Sequence, residues 1–144
     1  MKMQSWIIYG LIAALCFGVN GIIYKMAQQK GNFSPYYGVF VFGIGIVAVF
    51  GLFFLFNFDS SFEWKSGGLL LISGMIWAFG MLAVAIAIYQ KADLARLAPI
   101  YNINTLVTVL LGIIFLKEIP DLSNMIRVIS GAVLIIVGAV MVSI

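Results

Sequence analysis

Between residues 94 and 120, an apolar stretch is interrupted by side chains that form hydrogen bonds. Pro99 is followed by Tyr101, Asn102, Asn104 and Thr105, with Thr108 a turn later. The run then continues through Gly112 to Leu116 and closes on Lys117, Glu118, Ile119 and Pro120. All five polar groups are neutral donors or acceptors. Such groups can hold a solute by hydrogen bonds but supply neither a nucleophile nor a strong base. At helical spacing, Tyr101, Thr105, Thr108 and Gly112 share a face that Asn102 and Asn104 flank. Elsewhere, Asn20, Tyr24 and Lys25 occupy one apolar stretch, and Ser73 and Trp77 another. A single asparagine or threonine in such a place usually bonds a neighbouring helix, for about 0.6–2 kcal/mol. Five within half a helix point instead to the lining of a cavity.

The elements that carry these groups follow from composition. The 144 residues are 64% hydrophobic and only 9% charged, and mean hydropathy is +1.17. A soluble domain has roughly 25% charged residues, so this surface must face lipid. A bilayer core of about 30 Å takes about 20 helical residues. Five runs qualify, at 6–26, 36–58, 68–89, 94–116 and 125–144. They are apolar all round, whereas barrel strands alternate. The fold is therefore expected to be all-α, a single polytopic domain over 1–144 that is almost entirely membrane. Lys2 and the apolar run after it resemble a signal peptide, but no cleavage pattern follows. The first helix is read as retained.

Several function classes drop out. Histidine is absent and Cys16 is the single cysteine, so neither a Cys/His metal site nor a disulfide within the chain can form. The five carboxylates (Asp59, Glu63, Asp93, Glu118 and Asp121) lie in connections or at segment ends. No catalytic constellation exists, and no enzyme, cofactor or metal is expected. The net charge of +3 is spread singly, as helix-anchoring residues are, and not as a nucleic-acid surface. Lys25 is expected to snorkel to the headgroups, with a cation in a cavity as the alternative. Trp77, near mid-helix, is read as either packing or a cavity wall.

Charge also bears on orientation. Five spans place the termini on opposite sides. The N-terminal side has Lys2, Lys65, Lys117 and Arg127, and the other has Lys25, Lys30, Lys91 and Arg96. The bias that orders insertion is thus four against four. Either a partner fixes one orientation, or the chain inserts both ways and pairs antiparallel. The second option would reproduce the inverted symmetry of many transporters. Small residues recur on helical stripes: Ala14, Gly18 and Gly21; Gly80, Ala83 and Ala87; and Gly131 and Gly138. Such stripes permit close helix approach in lipid. The last is the expected contact with a second copy.

Two sequence patterns have a familiar form. Trp6, Ala13, Ala14 and Gly18 lead the first helix, and residues 92–99 open the fourth. More specific is Leu111-Gly112-Ile113-Ile114-Phe115-Leu116-Lys117-Glu118, followed by Gly131-Ala132-Val133-Leu134-Ile135-Ile136-Val137-Gly138. Over essentially its whole length the chain resembles the drug/metabolite transporter superfamily, in particular the half-size, five-helix members of its EamA-type branch. The resemblance implies one repeat of a two-repeat transporter, hence a homodimer in the cell membrane that moves a small metabolite by alternating access. It also implies a cavity lined by the first, third and fourth helices. Carried over, the candidate site residues are Asn20, Tyr24, Trp77, Tyr101, Asn102, Asn104 and Thr105, with Glu118 structural. Related small multidrug exporters use a first-helix carboxylate, which this chain lacks. A neutral, zwitterionic or anionic metabolite, or a lipid-linked headgroup, is therefore expected over a cationic drug. The competing expectation is a non-transporting scaffold or accessory subunit.

Overall fold

The computed structural model describes residues 5–57, 64–117 and 122–143. Every regular element in it is helical: α1 (Ser5–Gly31), α2 (Pro35–Phe56), α3 (Trp64–Tyr89), α4 (Leu94–Tyr101), α5 (Asn104–Phe115) and α6 (Leu122–Ser143). These make five spans long and apolar enough to cross a membrane, with α4 and α5 sharing the fourth. None of the six helices contains a carboxylate, as a hydrocarbon environment demands. Phe58, Glu118, Pro120, Asp121 and Ile144 lie outside the described residues.

Helix ends depart from the apolar runs by a few residues, each for a local reason. Helix α1 continues past Met26 because Ala27, Gln28, Gln29 and Lys30 favour helix as well as water. It stops at Asn32, whose φ of 44° turns the backbone left-handed. Its N–H closes on the Gln28 carbonyl at 2.9 Å, an αL cap. Pro35 then opens α2, where its fixed φ suits a first turn. Lys91 (φ 70°) and Lys117 (φ 55°) follow α3 and α5 in the same left-handed region, at a cost of about 1–2 kcal/mol each relative to glycine.

The chain divides after Lys91 into two compact units. In the first, α3 contacts both α1 and α2. Helix α3 buries Gly67, Ala85 and Ile88, and not the Gly80, Ala83, Ala87 stripe. Gly80 has open space where a side chain would project. On α2, Phe40, Val47, Phe50 and Phe53 are all exposed, as lipid-facing residues are.

In the second unit, α6 contacts both α4 and α5. It buries Ala132 (4% exposed) and Ala139 (3% exposed), seven residues apart. The neighbouring stripe of Gly131 and Gly138 is different. A Cβ at either position would meet nothing within 4 Å. Helix α6 thus packs inside its unit through alanine and leaves its glycines uncovered.

Candidate functional site

The fourth span is not the single helix expected over 94–116. It breaks at Asn102 and Ile103, between α4 and α5. Pro99 has no N–H to offer Ala95, which predicts disturbance a turn before the proline. The change of winding instead falls after it. The Asn102 N–H still reaches Ala98 at 3.1 Å, but Ile103 donates to Ile100 at 3.2 Å and Thr105 to Asn102 at 3.0 Å. These are three-residue steps, a tighter winding that mid-helix often marks a functional hinge. The four-residue partners they pass over are the carbonyls of Pro99 and Tyr101. Asparagine, at 102 and again at 104, competes with helical bonding through its own side chain.

The break gathers the polar cluster. Asn102, Asn104 and Thr105 are exposed and Tyr101 is half-buried. The Thr105 hydroxyl points toward Asn104 Oδ1, 3.5 Å away. In a span whose other residues are mostly apolar, with Arg96 in its first turn, these are groups that lipid cannot satisfy. Irregular backbone at membrane depth is tolerated where protein or water covers it.

In the first unit the candidate residues meet through a side chain that sequence reasoning missed. Tyr24, 7% exposed on α1, sets its ring edge-on against Phe42 of α2, with centroids 6.1 Å apart and planes at 90°. Phe42 in turn stacks on Trp77 of α3 at 6.0 Å and 25°. Offset-stacked and edge-to-face pairs at such distances are the favoured arrangements. Tyr24, Phe42 and Trp77 therefore form one aromatic chain across three helices. Trp77 remains 51% exposed, so one ring face is engaged by Phe42 while much of the indole is available. Asn20 is half-buried, one turn from Tyr24 on the same face of α1.

Two more residues belong to this neighbourhood. Gln28, one turn beyond Tyr24, is 5% exposed. Its Nε2 donates to the Phe33 carbonyl at 2.7 Å, while its Oε1 and the Tyr24 hydroxyl are buried without a partner. Gly38 is buried against both Tyr24 and Phe33. Neither residue had a sequence signal of its own, since Gln28 sits in a polar helix end and Gly38 in an apolar run.

Among the described residues no group of His, Cys, Asp and Glu could hold a metal ion. Cys16 is free and exposed. Within each unit the candidate residues are themselves neutral: aromatic faces, amides and hydroxyls. They can stack on and hydrogen-bond to a small polar molecule.

Comparison with known proteins gives these groups a setting. The chain is 31% identical over 144 residues to an uncharacterized protein of Methanocaldococcus jannaschii, covering 99% of this chain and 98% of that one. It is 28% identical over 135 residues to a Listeria monocytogenes protein named "Putative sugar uptake protein", covering 94% of this chain but 47% of that relative. The chain thus spans about half the length of the Listeria protein. No solved structure gives a significant match. The EamA-like transporter family profile matches residues 4–144, and with five spans and nearly the whole length matched, the chain is a multi-pass membrane protein that belongs to this family.

Proposed function

We propose that the chain is a secondary transporter of a small polar metabolite that works by alternating access as a homodimer in the cell membrane. The family match over residues 4–144 is the observation that carries this reading. The dimer is supported by size and charge. One chain matches 47% of the Listeria relative, so that two copies would together match about its length, and the cations are balanced four against four. An antiparallel pair of identical chains supplies the inverted symmetry that alternating access uses. The uncovered Gly131 and Gly138 stripe is the contact with the second copy, since small residues let two helices approach closely in lipid.

The solute-binding groups in this proposal are Asn20, Tyr24 and Trp77 of the first unit and Tyr101, Asn102, Asn104 and Thr105 of the second. With no carboxylate in any helix, they favour a neutral solute over a cation. Sugars head the panel to be tested, given the name of the Listeria relative and the match between an indole face and the C–H face of a pyranose.

The experiment is a ligand-induced thermal shift on the purified protein with sugars, polyols, amino acids and organic acids. One solute class is expected to raise the unfolding midpoint. Trp77→Ala and Asn102→Ala should each remove that shift, the second with an unliganded midpoint close to wild type because Asn102 is exposed, the first with a lowered one because the stack on Phe42 is lost. Unchanged binding in both variants would remove the site assignment.

A further inference from the structure

The connection between α1 and α2 is closed by packing and opposed by polarity. Phe33 lies over two glycines. A Cβ at Gly31 would stand 2.7 Å from its Cδ1, and one at Gly38 would stand 2.6 Å from its Cε2. Phe33 also packs edge-on against Tyr37, centroids 6.0 Å apart, and its carbonyl is held by Gln28 Nε2 at 2.7 Å. The same Cβ at Gly38 would be 2.5 Å from the Tyr24 hydroxyl. Only glycine lets Tyr24 and Phe33 close over this point of α2.

The closure leaves two polar atoms stranded. The Tyr24 hydroxyl and Gln28 Oε1 are one helical turn apart on α1, in side chains 7% and 5% exposed, and neither has a hydrogen-bond partner. Buried polar groups are satisfied in the great majority of cases, and an orphan destabilises the state that buries it. Parting α1 from α2 at this end would give both atoms water. The connection lies where two spans meet, Ile7–Gly31 and Pro35–Phe56, so that water is at hand at the membrane surface. The left-handed Asn32 (φ 44°) sits in the turn itself.

We infer that the α1–α2 hairpin is a gate at one membrane face, held shut by Phe33 and Tyr24 over Gly38 and spring-loaded to open by the stranded Tyr24 hydroxyl and Gln28 side-chain amide oxygen, Oε1. The inference rests on the transport reading for its purpose but not for its physics. Opening withdraws the edge of Tyr24 from Phe42, the ring that stacks on Trp77, so the gate connects directly to the aromatic chain. Hydroxyl and amide are both neutral, which makes the spring independent of pH.

Tyr24→Phe tests it, because it deletes the stranded hydroxyl and keeps the ring that packs on Phe42. In nanodiscs without solute, amide hydrogen exchange over residues 32–42 should slow by about fivefold or more, and the unfolding midpoint should rise. Exchange as fast as wild type, or a lowered midpoint, would overturn the inference by showing that the hydroxyl is satisfied in the native state. Neither readout needs a substrate. Slowed exchange in a chain that moves no solute would leave the hairpin opening in place and remove the transport reading alone.

Discussion

Gly38→Ala is expected to be among the most damaging single substitutions in the chain, lowering stability by about 1–3 kcal/mol. The added methyl would stand 2.5 Å from the Tyr24 hydroxyl oxygen and 2.6 Å from Phe33 Cε2, distances no native Cβ contact sustains. Tyr24 is buried and anchored on Phe42, and the Phe33 ring is packed edge-on against Tyr37, so neither can withdraw without breaking another contact. Reversible unfolding in mixed detergent micelles measures the loss. The double variant Tyr24→Phe with Gly38→Ala should recover part of it and not all, since Phe33 still blocks the methyl. Gly18→Ala and Gly43→Ala are the controls. A Cβ at either position meets nothing within 4 Å, and alanine in a helix interior is favoured over glycine by roughly 0.5–1 kcal/mol. A Gly38→Ala protein as stable as those controls would mean that the hairpin is not closed in this way.

That contrast shows what sequence could and could not convey. The five spans were legible because each is a run of about 20 apolar residues, and hydrocarbon thickness leaves little freedom in that number. The family was legible from Gly112 to Glu118 and from Gly131 to Gly138. The break in the fourth span was half legible. Pro99 marked the region, but the winding changes at Asn102 and Ile103, where the outcome depends on which carbonyl each N–H reaches. Phe42 was not legible at all. It is one of twelve phenylalanines, and only the packing of α1 and α3 on α2 selects it. Gln28 was hidden for the opposite reason. Beside Gln29 and Lys30 it looks like any polar residue at a membrane surface, and only the folded connection shows it buried and bonded to the Phe33 carbonyl. Small-residue stripes were visible but ambiguous. On α6 the alanines are buried and the glycines are not, a distinction that depends on a rotation of about 100° per residue that sequence alone does not orient.

The second large effect concerns orientation. On the proposed antiparallel pairing, reporters fused to the C-terminus of the wild-type chain should read both sides of the membrane in comparable amounts. The balance of four cations against four is shifted by few changes. Lys30→Gln with Lys91→Gln leaves four on the N-terminal side against two, and both lysines are exposed, so the fold should tolerate their loss. That variant should insert almost entirely with its N-terminus in the cytoplasm. Lys65→Gln with Lys117→Gln should insert the other way. Each variant alone should lose function, because a population of one orientation cannot form antiparallel pairs. Co-expression of the two should restore it. A wild-type chain whose C-terminus reports only one side would end the antiparallel proposal, though not membership of the family or a parallel dimer.

The central claim is that this chain, alone, carries a small polar solute across a membrane. Solute flux into proteoliposomes that contain only the purified protein measures it directly, with the solute chosen from the thermal-shift panel. The account predicts saturable uptake that Trp77→Ala or Asn102→Ala abolishes. Folded, membrane-inserted protein that moves no member of the panel above the leak of empty liposomes would contradict it, and would favour a scaffold or accessory subunit instead.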